Sequence, residues 1–188
     1  MLSPREWNEY FVYFLHRKNE YHSFREYYGL LMNILFVCTA NICRSVMAEG
    51  ILRKLASDSK GRRVVHAASA GVDALQESEP DRYTTEICRN QGIDIGSHKA
   101  RQLTKSVLED ADLVLCMEQM HKQRITGAFP GFAESVFLLK EYLHPGPLDE
   151  AEIKDPIGKP KEQFEKCFTE IQEEVRRIGL LSDWFAAI

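Results

Sequence analysis

Hydrophobic positions divide the chain into two unlike parts. In the first 32 residues Trp7, Tyr10, Phe11, Phe14 and Leu15 recur at the spacing of one helical face. Ser3, Pro4 and Glu6 supply an N-cap, a first-turn proline and a capping box for that helix. Ser23 and Glu26 repeat the box, which predicts a second short helix ending near Leu31. From Asn33 the pattern changes. Ile34-Leu35-Phe36-Val37 is a short apolar run of the kind that forms a strand buried on both faces. Met47, Ile51, Leu52 and Leu55 then keep helical spacing as far as Gly61. Val64 to Ser69 reads as a second strand, Pro80 to Asn90 as a helix closed by Gly92, and Ala111 to Met117 as a third strand. Glu118 to Ile125 reads as a helix and Ser135 to Leu139 as a fourth strand. The proline- and glycine-bearing stretch from His144 to Pro160 reads as loop. Phe164, Phe168, Ile171, Val175 and Ile178 mark a last amphipathic helix, stopped by Gly179. Strands alternating with helices predict an α/β fold with a parallel sheet. In such sheets ligands bind beyond the carboxyl ends of strands, so the loop after the first strand is where chemistry is expected.

Composition narrows the function classes. The chain has 188 residues, of which 44% are hydrophobic and 28% charged, as in a soluble domain with a real core. A net charge of −4 gives no basic footprint for nucleic acid. No apolar run approaches the roughly 18 residues of a membrane span. Arg5, Glu6 and Glu9 break up any secretory signal, and five cysteines without framework spacing read as reduced thiols, so a cytoplasmic protein is expected. Residues 1–32 form an aromatic-rich extension holding nine of the 19 aromatic residues, and residues 33–188 form the main domain. Covering an apolar face of that domain is the plain role of the extension. Homodimerisation through its aromatic stripe is a rival, and its five tyrosines allow a third, autoregulation at a cleft.

The loop reads Cys38-Thr39-Ala40-Asn41-Ile42-Cys43-Arg44-Ser45 and closes onto a helix N-terminus. A tight turn there can aim successive backbone N–H groups inward, and the helix dipole adds positive potential. Arg44 offers a planar fork for two oxygens of a tetrahedral oxyanion. A thiol in that field is poised as a nucleophile, and the Ser45 hydroxyl is placed to stabilise it. Taken without their context, Cys38 and Cys43 are equally small core residues at a strand end. No Gly-x4-Gly-Lys-Ser/Thr occurs, which excludes a Walker loop.

With these residues the chain resembles the low-molecular-weight protein tyrosine phosphatases, whose signature is Cys-x-Gly-Asn-x-Cys-Arg-Ser-Pro. The resemblance extends through Ser69-Ala70-Gly71, His98-Lys99-Ala100-Arg101-Gln102, Leu115-Cys116-Met117-Glu118 and Asp155-Pro156. It implies a four-stranded parallel sheet of order 2-1-3-4 flanked by helices, and hydrolysis of phosphorylated proteins without metal or cofactor. Cys38 then matches the nucleophile, Arg44 the group on the phosphoryl oxygens, and Asp155 the general acid and base. Thr39, Ala40, Asn41, Ile42, Cys43 and Ser45 match the substrate-binding loop. Asn41, Ser69 and His98 match a supporting network that holds the loop and orients Ser45. Cys43 matches a second thiol able to pair with Cys38 on oxidation, a packed neutral thiol being the equal alternative.

The departures are informative. Ala40 stands where the family has glycine, which predicts a slower enzyme. Val46 replaces a helix-start proline, a mild change. Ile157-Gly158 replaces two tyrosines that wall the cleft in eukaryotic-type members, which favours a protein arginine phosphatase. Apolar Ile42 favours a tyrosine phosphatase, because it packs on a ring and offers a guanidinium no polar partner. Cys88, Cys116 and Cys167 do not form the pair, six residues apart, that arsenate reductases need. A phosphate-binding interaction module is the alternative of another class, opposed by the retention of Cys38, Arg44 and Asp155 together.

Overall fold

The computed structural model describes residues 31–58 and 64–182. The expected N-terminal helices, and any pairing or regulation through them, lie outside the described residues. Four strands form one sheet: β1 (Leu31–Cys38), β2 (Val64–Gly71), β3 (Leu113–Cys116) and β4 (Val136–Leu138). All pairs are parallel and the order is β2-β1-β3-β4, as the resemblance implied. Helices α1 (Arg44–Asp58), α2 (Arg82–Asn90) and α5 (Lys161–Leu181) pack together on one side. On the other side lie the short α3 (Lys105–Glu109), α4 (Gln119–Ala128) and a 3-10 turn, Pro130–Ser135.

Alternation along β1 divides the core. Ile34 and Phe36 pack under α1 and α5, against Met47, Ile51, Phe164 and Ile171, while Leu35 and Val37 pack with Val114, Leu108 and Ile125 on the other face. Because β1 is central and covered on both faces, its middle run Ile34-Leu35-Phe36-Val37 is wholly apolar. The first strand and the fourth helix also set the site, since β1 ends at Cys38 and β3 ends one residue before Met117 and Glu118.

Several boundaries differ from the sequence reading: β1 begins at Leu31, inside the stretch assigned to the N-terminal extension, and β3 is shorter than Ala111 to Met117. The last helix passes through Gly179 and stops at Ser182, because Gly179 is itself buried among Val175 and Ile178 and packing outweighs the roughly 1 kcal/mol propensity cost. Helix α3 and the 3-10 turn have no periodic signal at five and six residues, and were not foreseen. Strand β2 runs two residues further than expected, to Gly71, where it meets the loop after β1.

Candidate active site

The chain leaves β1 at Cys38 and enters α1 at Arg44, so residues 39–43 form a tight turn at the carboxyl edge of the sheet. Its carbonyls are held from outside. Val72 N–H donates to Cys38 O at 3.0 Å, Asp73 N–H to Thr39 O at 2.9 Å and Leu75 N–H to Ala40 O at 3.2 Å. The His98 Nε2 atom lies 2.9 Å from Asn41 O, and Asp81 N–H donates to Ile42 O at 2.9 Å. A trans peptide directs each C=O opposite to the next N–H. Five outward carbonyls therefore turn the amides of residues 39–43 to the inside of the loop. None of the amides of residues 40–43 donates to an acceptor among the described residues. The N-terminus of α1 adds its positive end, so the loop is a cradle for a tetrahedral anion above Cys38.

The strain in the turn falls at Asn41, with φ +58°, and not at Ala40. Its side chain is fixed on all sides. Asn41 Nδ2 donates to Ser45 Oγ at 3.0 Å and to Ser69 Oγ at 2.9 Å, and Oδ1 accepts from Arg101 N–H at 2.9 Å. Ser69 Oγ in turn donates a hydrogen bond to Glu49 Oε2 at 2.6 Å. Ser45 Oγ, accepting from Asn41, lies 3.0 Å from Cys38 Sγ and has its proton free for the sulfur. The close approach of backbone that the family's loop glycine suggested is made at Gly71 instead, where a Cβ would stand 2.4 Å from Thr39 O.

Arg44 is 1% exposed and ringed by acceptors. Nη1 donates to Ile153 O and pairs with Glu118 Oε2, both at 2.9 Å, and Nη2 pairs with Asp155 Oδ2 at 2.6 Å. Burial by itself opposes the guanidinium charge, yet Cys38, Asp155 and Glu118 outweigh it and hold its pKa above the ordinary value. Asp155 is partly exposed, and its other oxygen accepts from Ile157 N–H at 3.0 Å. Ile153 N–H donates to Met117 O, which ties the segment bearing Asp155 to the end of β3.

All eleven residues singled out from the sequence thus gather around one turn: Cys38 to Ser45 in it, Ser69 and His98 behind it, Asp155 at its mouth. Cys43 is a packed thiol, its pKa pushed far up by burial despite the Thr84 side chain. Burial likewise raises Cys88, Cys116 and Cys167 to about 12 each. Sequence reasoning missed Glu49, Arg101, Glu118 and His121. The signal for the last two was present as an N-cap residue with a partner three positions on, directly after an apolar strand. Among the described residues no group of His, Cys, Asp and Glu is arranged to hold a metal ion.

A thiol, an inward ring of amides, a buried arginine and a carboxylate thus lie together at one strand end of a parallel α/β sheet. Residues 33–182 match the sequence model of the low molecular weight phosphotyrosine protein phosphatases, and the chain belongs to that family of phosphoric monoester hydrolases. It is 37% identical over 146 residues to a probable low molecular weight protein-tyrosine-phosphatase, EpsP, of Ralstonia nicotianae, covering 78% of this chain and 92% of that one. It is 34% identical over 148 residues to a protein-arginine-phosphatase of Bacillus subtilis, covering 79% and 95%. The crystal structure of a low molecular weight protein tyrosine phosphatase from T. tengcongensis superposes with a TM-score of 0.71 at 35% identity, over 78% of this chain and 97% of that one.

Proposed function

We propose that the protein hydrolyses phosphotyrosine in phosphorylated proteins, by two phosphoryl transfers through Cys38. The observation that carries this reading is the inward turn of the amides of residues 39–43 over the Cys38 sulfur, with Arg44 alongside. In the first step Cys38 Sγ attacks phosphorus while the P–O bond to the leaving oxygen breaks, and Asp155 gives that oxygen its proton. In the second, Asp155 takes a proton from water, whose oxygen attacks phosphorus and releases inorganic phosphate and the thiolate. Loop amides and Arg44 neutralise the equatorial oxygens throughout, and Ser45 hydrogen-bonds the departing sulfur. Arg44 is paired with Asp155 in the free protein, so an arriving phosphoryl group competes for its Nη atoms and frees the carboxyl for the leaving oxygen. With its five cysteines all free thiols, the protein suits a reducing cytoplasm, where the nucleophile stays available.

The mouth supports a ring as the leaving group. Leu75 is 54% exposed beside the loop, its N–H on Ala40 O, and Ile157 is 43% exposed beside Asp155. With Ile42 they offer apolar surface on which a ring can pack. Phosphoarginine is the second reading, favoured by Gly158 at φ +76° in place of an aromatic wall. Phosphate release from matched phosphotyrosine and phosphoarginine peptides, with Cys38→Ser as blank, tests both. Preference for phosphotyrosine is expected. Preference for phosphoarginine would transfer the assignment, and release from neither would leave a binding module.

A further inference from the structure

His121 has no part in the chemistry described so far, yet it joins two parts of the site. Its ring is completely buried in the first turn of α4. Nδ1 accepts a hydrogen bond from Glu118 N–H at 3.0 Å, which leaves the ring proton on Nε2. Nε2–H then donates to Thr39 Oγ1 at 2.9 Å. Glu118, on the same turn, holds Arg44 at 2.9 Å. One imidazole therefore spans the residue next to the nucleophile and the residue that anchors the arginine. A buried ring of this polarity is tolerated only where both nitrogens are used, and here both are. A protonated ring would turn Nδ1 into a donor facing another donor. Burial and the nearby Arg44 charge keep it neutral, with a pKa lowered to about 4.

We propose that His121 is a positioning residue of the hydrolytic reaction: it clamps Thr39, and with it the opening of the anion loop, to the turn whose Glu118 fixes Arg44. The amides and the guanidinium must meet the same three oxygens, so their relative placement matters more in the transition state than in the ground state. The proposal rests on Cys38 and Arg44 as the reacting pair and is independent of whether tyrosine or arginine carries the phosphate.

The test uses the full chain, para-nitrophenyl phosphate as probe and Cys38→Ser as blank, with circular dichroism melting of each variant. His121→Leu fills the volume without the bonds, His121→Gln keeps a donor for Thr39, and Thr39→Val removes the acceptor. The expected result for His121→Leu is a kcat lower by about 10- to 100-fold with KM little changed. Thr39→Val should lose a similar factor, the double variant no more than either single, and His121→Gln should recover most of the loss. Parent kcat in Thr39→Val, multiplying losses in the double variant, a change confined to KM, or equal impairment of Gln and Leu variants would each overturn the proposal. Should His121→Leu fail to fold, Thr39→Val and His121→Gln still decide. Parent turnover in Cys38→Ser would instead remove the reading of the site itself.

Discussion

Arg44 shows how much one residue depends on its neighbours. It is buried at the N-terminus of α1, where a cation gains nothing from the helix dipole, and it remains only because three acceptors surround it. A lysine carries one compact charge and cannot span Ile153 O, Glu118 and Asp155 together. Arg44→Lys should lower kcat by about 10²- to 10³-fold, measured with an aryl phosphate against the Cys38→Ser blank. Asp155→Asn removes the proton donor but keeps the shape. Its kcat/KM, which reports the first transfer and not the shared second step, should fall by about 10²-fold for unactivated phenyl phosphate and far less for an activated nitrophenyl ester, which needs no proton. An equal loss for both esters would show that Asp155 acts by holding Arg44 alone. At this scale the sequence displayed the groups on which the proposed mechanism rests, because Cys38, Arg44 and Ser45 share one short motif. It hid Glu118 and His121, whose roles exist only once β3 lies beside β1.

At the scale of elements, the loop and the strands around it form one hydrogen-bonded unit. The family pattern placed its need for glycine at position 40, but Ala40 has an ordinary φ and the left-handed residue is Asn41, held by its side chain. Ala40→Gly is therefore expected to leave kcat unchanged and to lower stability slightly, through the added freedom of the unfolded chain. Gly71 at the end of β2 is the position that admits no side chain. A Cβ there meets the carbonyl oxygen of Thr39 and the backbone of Asn41, neither of which can move without opening the turn. Gly71→Ala should cost about 1–3 kcal/mol in denaturant unfolding and depress kcat as well. Strand and helix positions were legible because their periodicities are strong, as in the apolar β1 and the stripe of α5. The precise burden on each glycine was not, because a close approach between β2 and the loop is a property of the sheet order.

At the scale of the whole molecule, the central position of β1 brings residues from five separate segments to one edge: the loop itself, the end of β2, the His98 stretch, the start of α4 and the Asp155 loop. The sheet order followed from resemblance, since alternation of strands and helices is compatible with several orders. The same convergence gives stability a pH dependence. His121 is neutral in the fold with a pKa near 4 but takes up a proton near 6.5 when unfolded. The unfolded state then binds more protons between those values, so stability rises with pH through that window and is lost as pH falls from 6.5 toward 4. Between pH 7 and pH 4.5 the loss amounts to roughly 2 kcal/mol and should be smaller in His121→Gln, as read from urea unfolding at the two pH values. A parallel fall in both proteins would mean that other groups set the acid limit.

The central claim is that Cys38 carries the phosphoryl group between substrate and water. Acid quenching of the full-length protein during turnover of a phosphotyrosine peptide, followed by mass spectrometry of its fragments, tests that claim most directly. One added phosphoryl group on the fragment bearing Cys38, missing in Cys38→Ser, is the expected result. Turnover with no phosphoryl group on Cys38, or with the group on another residue, would contradict the account.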